Sequence, residues 1–271
     1  MKQSNTIVLI HGLFVNDTSW SEWRAYFEAL GYTVHTPANP FHGGVPADLR
    51  RNPNRELRTT TLEALIMNLA RLIDNLPEKP IIIGHSLAGF VVQKLVEMDK
   101  AVAGISINGA PPKNVIPGLK TIFAVFPVVN FLKGNTPFLG SRAWYHQNFF
   151  NTVSRAESDK LFDTTAVPES RRVARETLYK PIAHIDHKKA HVPLLFIGGQ
   201  VDNIFPGDFT KRNAGAYKEN SGITDLKIFP GRSHFICGQE GWEEVAGYIE
   251  QWLKGLAEKK YQQNVTSLAA V

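Results

Sequence analysis

Short runs of aliphatic, largely β-branched residues recur along this chain, and each is followed by a stretch with helical periodicity. Residues 6–10 read TIVLI, a continuous apolar run of the kind buried on both faces of a parallel sheet. A helix is expected over 19–30, with Ser19 as its N-cap, Trp20, Trp23, Phe27 and Leu30 on one face, and Gly31 stopping it. A strand at 32–36 follows, then a loop over 37–58 punctuated by Pro37, Pro40, Gly43, Gly44, Pro46 and Pro53. Residues 59–76 form a strongly amphipathic helical pattern, and strand 81–84, helix 87–98 and strand 102–107 come next. Strands alternating with helices predict an α/β architecture, a mostly parallel, doubly wound sheet.

The alternation breaks after Ala110-Pro111-Pro112 and resumes near residue 188 with strand 193–197, helix 207–217, strand 225–229 and helix 240–253. Between the breaks the chain is rich in Phe, Trp and Pro and has no buried-strand run. The expected organisation is one core made of 1–111 and 188–257, a helical cap inserted at 112–187, and a frayed polar tail at 258–271.

Composition narrows the function classes. The 271 residues carry 30 Lys+Arg against 25 Asp+Glu, a net charge of +5, but the basic residues are scattered. Their nearest approach to a cluster, Arg50-Arg51 with Arg55 and Arg58, reads as a solvated loop face, so no nucleic-acid partner is expected. One cysteine, Cys237, excludes an intrachain disulfide and a multi-cysteine zinc site, and it fits a reducing compartment. The N-terminal apolar run is too short for a signal-peptide core. The most apolar stretch, 115–132, is broken by Pro117, Gly118, Lys120, Pro127 and Asn130, so no membrane span is expected. A cytoplasmic location is the expectation.

The segment Ile81-Ile82-Ile83-Gly84-His85-Ser86-Leu87-Ala88-Gly89 takes a buried strand directly into a helix through a serine. It resembles the nucleophile elbow of the α/β-hydrolase superfamily, in its serine esterase and lipase-like branch with a helical cap. Gly84 and Ala88 stand where the tight turn demands small residues; Ala88 departs from the family's usual glycine. His11-Gly12-Leu13 after the first strand is similar to the family's oxyanion loop. The resemblance therefore implies an α/β-hydrolase fold, with the backbone N–H groups of Leu13 and Leu87 as the oxyanion hole and Phe14 as a substitute for Leu13. His11 is expected to be structural.

A serine hydroxyl needs a base, and the base an orienting carboxylate. The superfamily order is serine, acid, histidine. Asp202 falls in a loop after the resumed strand, and His234 in a loop after the last clear strand, so the resemblance implies a Ser86, Asp202 and His234 triad. Asp208 and Asp225 are the rival carboxylates, one within a helix and one at a strand start. Where some relatives place the acid after the strand at 102–107, this chain has Asn108, which cannot ionise. His184, His187 and His191 near Asp186 could mimic a metal site but are read as a surface junction, and Cys237 as a buried small side chain. Serine at the elbow excludes the epoxide-hydrolase and dehalogenase routes, which need a carboxylate there, and the dienelactone-hydrolase route, which needs cysteine.

The implied activity is hydrolysis of small to medium hydrophobic carboxylic esters through an acyl-enzyme, with no metal or organic cofactor. Phe14, Trp20, Phe123, Phe126, Trp144, Ile204 and Phe235 are the expected pocket residues. A lactonase, thioesterase or perhydrolase would use the same triad. A hydroxynitrile-lyase-like enzyme would use its serine and histidine as acid–base groups, and an intact triad argues against a ligand receptor without turnover.

Overall fold

The computed structural model describes residues 4–218 and 222–269, the stretch 257–269 as helix backbone only. Strand β1 (Thr6–Ile10) leads through a 3-10 turn at Asp17–Trp20 into α1 (Ser21–Ala29), then β2 (Thr33–His35). That turn is capped by Asn16, whose side-chain oxygen accepts from the Thr18 N–H, so Ser19 lies inside it and is not the N-cap. Gly31, at φ 90°, ends the helical segment as expected. The expected loop over 37–58 contains α2 (Pro46–Arg51) and a 3-10 turn at Arg55–Arg58. Helix α3 (Leu62–Asp74) follows, then β3 (Ile81–His85), α4 (Leu87–Glu97) and β4 (Ala103–Ile107). The inserted segment supplies α5 (Leu119–Val129), α6 (Arg142–Asn148), α7 (Arg155–Thr165) and α8 (Arg171–Tyr179). The chain ends with β5 (Leu194–Gly199), α9 (Gly207–Gly215), β6 (Thr224–Phe229) and α10 (Trp242–Ala269). Helical backbone in α10 thus continues through the segment expected to fray from residue 258.

Among the described residues the sheet has six strands in the order β2-β1-β3-β4-β5-β6, and every neighbouring pair is parallel. Side chains alternate across it with period two. Ile7 and Leu9 of β1 pack with Trp23 and Phe27 of α1 and with Val245 and Ile249 of α10. Val8 and Ile10 face the other way, toward α3 and α4. Both faces are therefore covered, which is why the central strands β1, β3, β4 and β5 read as unbroken apolar runs.

Helix α3 shows how the inserted segment is tied to the sheet. Thr61 caps α3 by accepting from the Ala64 N–H at 3.0 Å. The unpaired first amide of α3, on Leu62, donates to the Glu176 carboxylate of α8 at 2.8 Å. Its inner face buries Leu62, Leu65, Ile66, Leu69 and Ile73. Each such side chain stabilises the fold by about 1.5–3 kcal/mol relative to exposure, an upper bound because a denatured chain already buries some of this surface.

Candidate active site

The sheet delivers its functional side chains at the C-terminal ends of parallel strands, where ligands bind in open α/β sheets. Ser86 follows β3 directly and holds φ 58° and ψ −123°, a conformation that non-glycine residues rarely adopt. The surrounding packing enforces it. A Cβ on Gly84 would stand 2.4 Å from the Ala88 carbonyl oxygen, and one on Gly12 would stand 2.7 Å from the Ser86 Cβ. Both glycines are there because the backbone approaches too closely for any side chain. The Ser86 N–H donates to the Ile107 carbonyl at 3.0 Å, fixing the turn to β4.

The structure brings Ser86, His234 and Asp202 together. His234 Nε2 lies 3.0 Å from Ser86 Oγ, and His234 Nδ1 lies 2.7 Å from Asp202 Oδ2. The other Asp202 oxygen accepts from the amides of Ile204 at 2.6 Å and Phe205 at 2.9 Å. A carboxylate can only accept, so Nδ1 carries the proton and Nε2 is left to accept from the serine hydroxyl. Asp202 and His234 are fully buried, and Ser86 retains 6% exposure. Of the rival carboxylates, Asp208 is exposed and paired with Lys211, while Asp225 accepts from the indole of Trp252.

Two further buried side chains clamp the histidine loop. His85 Nε2 donates to the His234 carbonyl at 2.7 Å. Burial first, and then the neighbouring His234, push His85 down to about 3, so it is a neutral donor. Asn108 occupies the position after β4 and bridges three strand ends. Its amide donates to the carbonyls of Ser233 at 3.0 Å and His234 at 3.3 Å, and its oxygen accepts from the Gly199 N–H at 2.6 Å. Sequence reasoning dismissed Asn108 as an acid and missed this part; φ 43° at a non-glycine residue is a structural signal with no counterpart in the sequence.

The first loop is set by His11, which is structural as expected. Its Nδ1 donates to the Gly12 carbonyl at 2.8 Å and its Nε2 accepts from the Asn39 N–H at 3.0 Å. Burial and then His42 hold it down to about 4, in the neutral form this pattern requires. Gly12 packs against Ser86, and α4 begins at Leu87, so the Leu13 and Leu87 backbones both border the serine. Among the described residues, neither amide donates to another group. Phe14, at φ 73°, instead uses its carbonyl to accept from Tyr145 Oη and the Val167 N–H, both at 3.1 Å.

A cavity of about 690 Å³, including its mouth, opens on Ser86. Phe14, Trp144 and Ile204 line it, together with Thr121, Val125 and Val128 of α5. Among the described residues no charged side chain lines it. The other expected pocket residues lie elsewhere. Phe123 and Phe126 are 75% and 59% exposed, because α5 is apolar all round and turns their face outward. Trp20 is buried edge-on against Trp23, and with Phe235 it borders a small separate void beside His85. Trp20 and Phe235 lie beside the catalytic loops but outside the cavity that opens on Ser86. Cys237 is buried, which pushes its thiol well above the usual range. Among the described residues no group of three or more metal-ligating side chains converges, and no helix is long and apolar enough to cross a membrane.

The model of the alpha/beta hydrolase family matches residues 7–247. A pimeloyl-[acyl-carrier protein] methyl ester esterase of Aromatoleum aromaticum is 35% identical over 107 residues, covering 39% of this chain and 37% of that protein's length. Among solved structures, a monoacylglycerol lipase of Paleococcus ferrophilus superposes with a TM-score of 0.67 at 20% identity, over 92% of this chain and 93% of its own. A methylesterase of Arabidopsis does so with a TM-score of 0.66 at 16% identity, over 92% and 98%. At these identities the solved structures speak for the fold alone, in agreement with the parallel sheet. The match over residues 7–247, on a chain that sets a serine in a strained turn between strand and helix, makes this protein a member of the alpha/beta hydrolase family.

Proposed function

We propose that this protein is a serine hydrolase of small to medium hydrophobic carboxylic esters, with residues 112–187 as a cap over the core. The observation that carries the reading is the unbroken hydrogen-bond chain from Asp202 through His234 to Ser86, ending in an apolar cavity with no charged side chain in its wall among the described residues. Ser86 Oγ attacks the ester carbonyl carbon while His234 Nε2 takes the hydroxyl proton. The carbonyl oxygen becomes an oxyanion facing the amides of Leu13 and Leu87, at the positive end of α4. The tetrahedral intermediate collapses, the C–O bond to the alcohol breaks, and His234 returns its proton to the leaving oxygen. A water molecule then adds to the acyl-enzyme with His234 as base, releasing the acid and restoring Ser86. Asp202 holds the imidazole in its tautomer and stabilises the imidazolium. The esterase named among the relatives and the lipase and methylesterase among the fold neighbours are compatible with this chemistry.

A chain-length series of p-nitrophenyl esters tests it, with wild type beside Ser86→Ala. Turnover of the shorter esters, lost in the variant, is the expected result, together with a covalent organophosphonate adduct on Ser86. Activity unchanged by Ser86→Ala would sink the acyl-enzyme route. Turnover of lactones or thioesters in preference to simple esters would move the substrate class while keeping the mechanism. Cyanohydrin cleavage without any acyl transfer would instead favour the lyase reading.

A further inference from the structure

Helix α5 is apolar on both sides, but only one side has a partner. Thr121, Ala124 and Val128 are buried, with Val125 half-buried beside them. Leu119, Ile122, Phe123 and Phe126, at i, i+3, i+4 and i+7, form the opposite face and are 44–75% exposed. The patch extends past the helix, because Phe131 is 62% and Leu132 95% exposed. Single exposed apolar side chains need no explanation, whereas a contiguous face of large ones marks an interaction site.

The charges around the patch have one sign. Between Asp99 and Glu157 the sequence contains no acidic residue. Lys120 within α5 and Lys133 after it are exposed and have no ion pair among the described residues, and Lys113, also exposed, donates to the Tyr179 carbonyl at 3.2 Å. The guanidinium of Arg212, on α9, reaches the start of α5, where a Cβ on Gly118 would lie 3.2 Å from it. Arg171 and Arg175 of α8, packed against α5, are buried and donate to the carbonyls of Val128 and Gly134, so they place positive charge beneath the patch and not at its rim. The nearby carboxylates are neutralised. Glu176 of α8 is buried on Arg172 and the Leu62 amide, and Asp208 of α9 is paired with Lys211.

We propose that the outer face of α5 and the turn after it form a docking surface for an anionic lipid bilayer. Aromatic and aliphatic side chains rimmed by lysines match the two halves of such an interface, with acyl chains below and negative headgroups above. A second copy of this chain fits less well, because a two-fold contact through the patch would set its unpaired cations against their own images. The inner face of α5 lines the cavity on Ser86, so one helix would separate bilayer from cavity. The inference goes beyond the ester-hydrolase reading and does not depend on it.

The test is flotation of the full-length protein with vesicles, which is read without turnover. The protein is expected to float with phosphatidylcholine–phosphatidylglycerol vesicles, to bind pure phosphatidylcholine about tenfold more weakly, and to lose the difference in high salt. Leu119→Glu with Leu132→Glu is expected to weaken flotation by about tenfold or more, leaving the melting temperature and hydrolysis of a soluble short ester unchanged. Lys120→Glu with Lys133→Glu is expected to abolish only the preference for anionic vesicles. Absence of flotation with either vesicle overturns the proposal, as does flotation that ignores both variants. A dimer in sedimentation velocity that the leucine variant splits into monomers overturns it in favour of self-association. Flotation without ester hydrolysis would leave this surface standing and remove the ester-hydrolase reading alone.

Discussion

The floor of the site and the cap above it are held by different kinds of contact. In the floor, position is set by backbone geometry: two glycines pressed against Ser86 and Ala88, positive φ at Ser86 and Asn108, and side chains such as Asn108 that use their amide on several loops at once. In and around the inserted segment 112–187, long side chains reach into carbonyls and rings. Arg50 donates to the carbonyls of Ala166 and Asp163, Arg171 to those of Pro127 and Val128, and Glu169 meets His42 at 2.9 Å. A floor built this way tolerates little movement, which suits a reaction needing three groups within hydrogen-bond reach. A cap built from side-chain contacts can change its apolar lining without disturbing the chemistry below. On the reading proposed above, reaction type would reside in the first region and substrate choice in the second.

Four substitutions would break or sharpen that contrast. The largest effect is expected from Asp202→Asn, which keeps the shape of the acid but favours the wrong histidine tautomer. The kcat for a short ester should fall on the order of 10⁴-fold with the fold intact by circular dichroism. Asn108→Ala removes the partner of the Gly199 N–H and of the Ser233 carbonyl and loosens the His234 loop. The kcat should drop about 10- to 100-fold with KM little changed, and stability by about 1–3 kcal/mol in urea unfolding. In the cap, Val128→Phe should act on substrate choice, raising KM for the longest ester that wild type accepts by up to about tenfold while short esters are less affected. A uniform fall in kcat across the series would show that cap and floor are coupled after all.

The smallest effect is expected at the cap's buried ion pair. Burial opposes charge on His42, but the Glu169 carboxylate, helped by the Pro40 carbonyl, outweighs it and raises His42 above the ordinary histidine value. A raised folded value means the pair contributes fully below the unfolded pKa of about 6.5, and that contribution is lost as pH rises through the folded value. Glu169→Gln should remove about 1–2 kcal/mol, lowering Tm by several degrees at pH 6 and by less at pH 9. A Tm deficit that is the same at both values would deny the pair its charge.

The contrast also explains what was legible in the sequence. Strands β1, β3, β4 and β5 could be read directly because burial on both faces leaves an unbroken apolar run, and the elbow because its small residues are a steric necessity. Asp202 and His234 could be singled out because each follows a strand end. The inserted segment resisted for a physical reason: α5 carries large apolar side chains on two opposite faces, so periodicity cannot say which face meets the cavity, and Phe123 and Phe126 fall on the outer one. Trp20 was misplaced because a residue next to a catalytic loop in sequence can still turn beneath the sheet. Asn108 and the His42–Glu169 pair join residues distant in sequence, and no local pattern announces such contacts.

The cap's point of insertion has a consequence for how the molecule assembles. Strands β4 and β5 are hydrogen-bonded neighbours, yet Gly104 and its partner Leu194 are about ninety residues apart, and closing so long a loop costs about 4 kcal/mol of chain entropy before any contact compensates it. Pairing of β1, β3 and β4 draws only on the first 107 residues and closes shorter loops, so the half-sheet bearing Ser86 can form first. Asp202 and His234 arrive only after the cap has been crossed. During synthesis the triad proposed above would therefore stay incomplete for more than half the chain's length after Ser86, until the last third docks.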